Sequence, residues 1–199
     1  MCYWASLCVE DTFLMLDALE QDVEELKLKK PLLCLEIGIL HPVVCVATDL
    51  NPAATLATIR TGERNLASVD CLLTSLSNGI QSRSLFDIIV FNPPYVPTEE
   101  LCEMAARPTH ENIHGCEPED LLEAAWAGGA DGRYWIDKVL PSIDGLLSKQ
   151  GTFYMIALQA NKPEELMAWA RRDWDLESKI ALKRKAGIED LVVLKFWRS

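Results

Sequence analysis

Two apolar runs, "LLCLEI" at 32–37 and "VVCVAT" at 43–48, stand five residues apart, joined by "GILHP". Continuous apolar runs are the pattern of strands buried on both faces, as in a parallel sheet. Helical and strand patterns then alternate. "PAATLATIRTGERN" opens a helix with Asn51 as cap and Pro52 at its first position. "VDCLLT" and "FDIIVFN" read as strands, Arg133 to Leu147 as a helix, "GTFYMIAL" as a strand and Pro163–Asp173 as a helix. "SKIALKRKA" and "LVVLKFW", joined at "GIED", read as an antiparallel hairpin. Upstream, Asp11 is expected to cap a first helix with the stripe Leu16, Leu19, Val23 and Leu26; Lys27, Lys29 and Lys30 suit its end, and Pro31 stops it. Val96–Cys116 reads as a loop, followed by a helix at Glu117–Trp126 that breaks at "AGGADG". The alternation predicts one α/β domain over residues 1–199, with a mostly parallel sheet and a C-terminal antiparallel hairpin.

"GILHP" is the exception to this scheme. A parallel crossover takes a dozen or more residues, and five residues stretch at most about 18 Å. The first βαβ crossover is therefore truncated. The expectation is that the first two strands cannot be adjacent, parallel and full length together.

Composition narrows the function. Nineteen Lys and Arg against thirty Asp and Glu give a net charge of −11, which repels phosphate backbones and makes nucleic acid a poor partner. The basic "LKRKA" at 182–186 reads as a solvated strand face. The seven cysteines include no C-x-x-C pair and several sit in apolar runs, so a reducing compartment, cytoplasm or nucleus, is expected. No run is long enough to span a membrane, and the start shows no signal-peptide pattern. His110, His114 and Cys116 lie in a predicted loop without an evident fourth ligand, so no metal site is expected.

In sheets of this kind ligands bind beyond the carboxyl ends of the strands, where "EIG", "TDLNP" and "FNPPY" fall together. The last is the most specific. An asparagine ends the very apolar "IIVF", and two prolines and an aromatic follow. Asn92 offers a side-chain carbonyl and Pro93 a backbone carbonyl whose conformation Pro94 restricts. Two fixed acceptors can hold both hydrogens of an NH₂ group and aim its lone pair, while Tyr95 can stack on a flat amide or base. This suits transfer of an electrophilic group to a planar nitrogen, where positioning supplies much of the rate.

"FDIIVFNPPYV" resembles the D-hydrophobic-x-x-NPPY motif of amino-type S-adenosylmethionine methyltransferases. With "EDTFLMLDAL", "ATDLNP", "EAAWAGGADGR" and "LVVLKF", the chain from about Val9 onward resembles the eukaryotic HemK family of release-factor glutamine methyltransferases. The resemblance implies a Rossmann-like class I fold using S-adenosylmethionine. It implies methylation of the GGQ glutamine of the eukaryotic class I release factor; relatives have also been linked to a histone lysine and to adenine in DNA. It implies a heterodimer with a small zinc-binding activator subunit. Residue by residue, Asn92, Pro93, Pro94 and Tyr95 would hold the acceptor, with Asn92 also bordering the cofactor. Asp49 would accept from the ribose hydroxyls, Glu36 and Gly38 match the start of the glycine motif, and Thr12 matches a cofactor-contacting threonine. Ser75 and Leu76 fall near the adenine.

The departures cluster on the cofactor side. The family continues its first strand into a "GSGSG"-like loop and a helix, whereas Ile39 to Pro42 follow Gly38 here. Ser75 replaces a common aspartate, and "ASLCVEDTF" replaces "YEPAEDTF". Such clustering points to a missing exon or a mis-predicted gene boundary. The alternative to an enzyme is a non-catalytic chain that keeps partner and acceptor binding alone.

Overall fold

The computed structural model describes residues 3–37, 44–99, 101, 124–187 and 189–199. They build a seven-stranded sheet in the order β3-β2-β1-β4-β5-β7-β6. The strands are β1 (Leu33–Ile37), β2 (Val44–Asp49), β3 (Val69–Leu73), β4 (Phe86–Phe91), β5 (Leu147–Leu158), β6 (Leu176–Ala186) and β7 (Glu189–Arg198). The first five run parallel, and β7 enters antiparallel between β5 and β6. The helices are α1 (Tyr3–Gln21), α2 (Val23–Lys29), α3 (Pro52–Arg64), α4 (Tyr134–Leu146) and α5 (Pro163–Trp174). The alternation read from the sequence is thus present. Asn51 caps α3 as expected, its side chain accepting from the Ala53 amide at 2.9 Å.

Strand β5 shows how the sheet is buried on both sides. Phe153, Met155 and Ala157 face one core with Leu35, Ile89, Phe91 and α4's Ile136 and Leu140. Tyr154, Ile156 and Leu158 face the other with Val90, Val193 and α1's Leu14, Met15 and Ala18. A period of two divided between two apolar layers leaves no polar face, hence the unbroken apolar run.

Two expectations fail here. Strands β1 and β2 are adjacent and parallel, in the register Leu33↔Val44 to Glu36↔Ala47, with ordinary lengths of five and six residues. The reason is geometric. The link leaves Ile37 and must return beside Leu33, roughly 13 Å back and roughly 5 Å across, while the steps to Val44 reach about 25 Å when extended. Starting β2 at Val44 rather than Val43 supplies part of that slack. Residues 38–43 themselves, Gly38 among them, lie outside the described residues, as do 102–123 with His110, His114 and Cys116.

The second failure is at α1. Asp11 does not cap a helix; it sits within α1 and is only 2 % exposed. The buried stripe is Asp11, Leu14, Met15 and Ala18 rather than Leu16, Leu19 and Val23, and Val23 is exposed. The stripe is helical in spacing, but an aspartate stands at its head and another, Asp22, at its foot. An apolar-only reading therefore slipped to the next row. Asp22 also interrupts the helix, so α1 and α2 are separate. Its carboxylate accepts from the Tyr154 hydroxyl at 2.8 Å and pairs with the buried Lys195 at 2.8 Å. Glu25 takes the same ammonium at 2.7 Å. Arg184 of β6 pairs with Asp17. Together these contacts fasten α1 along the sheet.

Candidate active site

Asp49 ends β2, and Asn92 follows β4 directly. Because Glu36 pairs in register with both Ala47 and Val90, Asp49 and Asn92 stand level, two residues further along. Partners in register point to one face, so Glu36, Asp49 and Asn92 share the α1 face of the sheet. One strand lies between Asp49 and Asn92, which sets their backbones roughly 10 Å apart.

Around Asn92 the polar contacts converge on α1. Its Nδ2 donates to Asp11 Oδ2 at 3.1 Å, and the Tyr95 hydroxyl donates to the same oxygen at 2.8 Å. Thr12 Oγ1 donates to Asp11 Oδ1 at 3.2 Å. Thr12 is therefore beside the site but on the solvent side of α1. With its NH₂ turned to Asp11, Asn92 keeps its Oδ1 buried and without a hydrogen-bond partner among the described residues. A buried carbonyl left so costs about 1–3 kcal/mol until a donor arrives. Tyr95 is buried, with its ring in the core layer of Leu14 and Met15.

The backbone after Asn92 is clamped from the other side. Asn161, fully buried, donates through Nδ2 to the Tyr95 carbonyl and the Asp131 carbonyl, both at 2.8 Å, while its Oδ1 accepts from the Leu158 amide at 2.6 Å. Val96 donates to the Trp126 carbonyl at 3.0 Å and accepts from Gly128 at 2.8 Å. A Cβ on Gly132 would stand 1.9 Å from the Tyr95 carbonyl, and one on Gly128 would stand 2.7 Å from the Pro94 carbonyl. Gly132 also has φ +65°. The "AGGADG" segment is thus glycine-rich because it lies against the Pro94–Tyr95 backbone. Asp11 and Asn161 are the two residues that sequence reasoning missed. Asp11 was assigned to a cap. Asn161 lies 66 positions from the carbonyl it holds, which no local pattern reports.

The cofactor end is sparser. Burial pushes the Asp49 carboxyl above its ordinary range, against the backbone amides of Asn51 and Leu50 that favour the charge. The Asn51 amide donates to Asp49 Oδ1 at 2.7 Å. Glu36 is 1 % exposed, and the Cys45 thiol lies 3.9 Å from its Oε2. Ser75 and Leu76 follow β3, whose exit is tied to β2 by the Thr74 amide on the Asp49 carbonyl at 2.9 Å. Leu76 takes φ +53°, a strained conformation for a bulky residue, costing roughly 1–3 kcal/mol. Asp87, the aspartate of "FDIIVFNPPY", is not part of this end. It accepts from the Leu32 and Leu33 amides and from Ser148 at the opposite, amino end of the strands, where it splices β1, β4 and β5.

No family model matches the chain. The chain is 37 % identical to the human methyltransferase HEMK2 over 96 % of its own length and 88 % of the relative's. It is 34 % identical to the eRF1 methyltransferase catalytic subunit mtq2 of Schizosaccharomyces pombe, over 95 % and 87 % of the two chains. The human alignment runs to 205 positions, more than the 199 residues of this chain, so the relative carries segments that this chain lacks. Among solved structures, the E. cuniculi Mtq2–Trm112 complex, responsible for methylation of the eRF1 translation termination factor, superposes with a TM-score of 0.62 at 24 % identity, covering 96 % of each chain. The fold is that of class I S-adenosylmethionine-dependent methyltransferases. These relatives place the chain that carries the Asn92–Tyr95 site: it belongs to the eukaryotic HemK family of methyltransferases, with HEMK2 and Mtq2.

Proposed function

We propose that the chain is the catalytic subunit of a protein glutamine N-methyltransferase that uses S-adenosylmethionine and acts on the GGQ glutamine of the eukaryotic class I release factor, with a histone lysine as a further acceptor. The observation that carries this reading is the Asn92 amide, turned by Asp11 so that a buried carbonyl oxygen has no donor among the described residues. A glutamine NH₂ supplies that donor. Its second hydrogen goes to the Pro93 carbonyl, and its lone pair then points toward the cofactor end. Holding the amide in this way replaces the search for an attack geometry, a contribution on the order of several kcal/mol.

The residues at the cofactor end fit S-adenosylmethionine. A diol offers two hydroxyl donors, and Asp49 is a partly desolvated carboxylate with one oxygen already fixed. Ser75 and Leu76 would border the purine with Glu36 nearby, while Gly38 lies outside the described residues and Thr12 faces solvent. When bound, this group supplies an electrophilic methyl whose C–S bond breaks with the electron pair left on sulfur. The protein's own residues hold the accepting nitrogen, and the one proton it gives up on methylation would pass along its hydrogen bonds at the Asn92 and Pro93 carbonyls to solvent.

A small zinc-binding activator is the proposed partner. Among the described strands β3 is an edge of the sheet; Leu72 and Leu73 on it are 43 % and 48 % exposed, and Leu56 and Ile59 of α3 are exposed as well. An unpaired edge with apolar side chains is a surface that a partner covers. The net charge of −11 disfavours nucleic acid. No described helix is long and apolar enough to cross a membrane. A reducing cytoplasmic and nuclear setting accords with the free thiols Cys34, Cys45 and Cys71.

The test is titration calorimetry with S-adenosylmethionine on the chain co-expressed with activator, followed by mass spectrometry of the release factor. Micromolar binding and one added methyl on the GGQ glutamine are expected. Absence of binding at high micromolar cofactor would refute the reading and leave the non-catalytic alternative, which the short 38–43 connection favours.

A further inference from the structure

We infer that Asp11 is the positioning residue that fixes which end of the Asn92 amide faces the acceptor, and so restricts the site to groups that donate N–H. The inference rests on the methyltransferase reading above and deepens it. The two ends of an asparagine amide are nearly the same shape, so packing alone does not choose between them. Chemistry does. A carboxylate only accepts, and Asp11 projects from α1 into a buried position with Asn92 and Tyr95 both on its Oδ2. A flipped Asn92 would set its carbonyl oxygen against that same oxygen at hydrogen-bond range, acceptor against acceptor, with little water to screen them. It would also present NH₂ to the pocket, which holds a carbonyl and rejects an amide nitrogen. Tyr95 holds the Asp11 oxygen in place from a second direction, and Thr12 holds the other oxygen. Asp11 is in turn set by α1, which the contacts of Asp17 and Asp22 pin to the sheet.

The experiment compares Asp11→Asn and Asp11→Ala with the parent, full chain with activator, by two independent readouts. The first is the ¹H–¹⁵N signal pair of the Asn92 side chain. One proton is bonded to Asp11, so the pair is widely split in the parent and moves together in both variants. The second is turnover. The kcat for glutamine falls at least 100-fold in Asp11→Ala and about tenfold in Asp11→Asn, while the affinity for S-adenosylmethionine stays within threefold. Parental kcat in Asp11→Asn with an unmoved Asn92 signal overturns the inference, as does lost turnover with that signal unmoved. Should Asp11→Ala fail to fold, the isosteric Asp11→Asn decides. A parent with no turnover defeats the methyltransferase reading instead, and the Asn92 signals still test Asp11.

Discussion

The acceptor end and the cofactor end of this sheet are built by different means. At the acceptor end, Asn92 and Tyr95 meet Asp11 from α1, and Asn161 and the glycines of "AGGADG" close on the backbone from the far side. Position there is over-determined, and nearly every constraint comes from more than 30 residues away in the chain. At the cofactor end, Asp49 is fixed by its own next turn through Asn51, and Leu76 carries backbone strain. Rigidity therefore belongs to the half proposed to aim a nitrogen. The half that must admit and release a cofactor is held more locally and at some cost in stability, as ligand-binding segments commonly are.

On that contrast, substitutions at the acceptor end cost turnover or folding outright. The largest effect is expected for Asn92→Ala. Turnover on the release factor falls about 1000-fold, equivalent to about 4 kcal/mol of barrier, while activator binding is kept; steady-state kinetics and co-purification measure the two. Unchanged turnover would remove Asn92 from the acceptor role. Gly132→Ala comes next. Its Cβ has no room beside the Tyr95 carbonyl, and its positive φ disfavours any side chain, so a loss of roughly 3 kcal/mol or more is expected in urea unfolding. Asn161→Ala strands the Leu158 amide and frees the Tyr95 carbonyl, and about 2 kcal/mol is expected from the same measurement.

The contrast also explains what was legible in the sequence. Local signals were read well: the apolar runs of β1 to β5, the Asn51–Pro52 start of α3 and the closing hairpin all carry their cause within a few residues. The NPPY stretch announced itself because Asn92 is out of place at the end of "IIVF". The partners of that stretch were not legible. Asp11 looks like a cap because an aspartate before an apolar stripe usually is one, and only the tertiary fold reveals that it is inside the stripe. The reading of the β1–β2 link failed for another reason. It counted five residues, about 18 Å, whereas the seven steps from Ile37 to Val44 reach about 25 Å and the return beside Leu33 needs only roughly 14 Å.

At the cofactor end the expected sign reverses. Asp49→Asn keeps an oxygen for the Asn51 amide but removes a charge that burial opposes. The free chain becomes slightly more stable, while affinity for S-adenosylmethionine falls about tenfold, or about 1.4 kcal/mol. Thermal melting without ligand and calorimetry with it separate the two. A variant both less stable and equally tight would show that Asp49 is a structural acid. Grafting a glycine-rich loop and a helix between Ile37 and Val44 is expected to tighten cofactor binding without changing the Asn92 signals.

The smallest expected effect is in acid, where the two halves should answer with opposite sign. Burial raises the Asp22 carboxyl, but hydrogen bonds from Lys195 and Tyr154 outweigh it and hold it below the ordinary range; Lys195 does the same to Glu25. A depressed carboxyl contributes stability that is present above its unfolded value, near pH 4, and is lost as pH falls through the folded one. Asp49 is raised, so its folded form prefers the proton, and its cost is felt as pH rises through the folded value and relieved in acid. Asp22→Asn should therefore flatten the stability profile below about pH 4 and cost about 1 kcal/mol at pH 7, since the buried Lys195 keeps Glu25 as a partner. Asp49→Asn should lose its small advantage over the same acid range. Denaturation midpoints at pH 7, 5 and 3.5 for the two variants and the parent give the comparison. Because α1 carries Asp11 to Asn92, acid should also loosen the acceptor end first, and the split of the Asn92 amide signals should narrow before the sheet melts. Parallel profiles for the two variants would mean that the halves are not held differently after all.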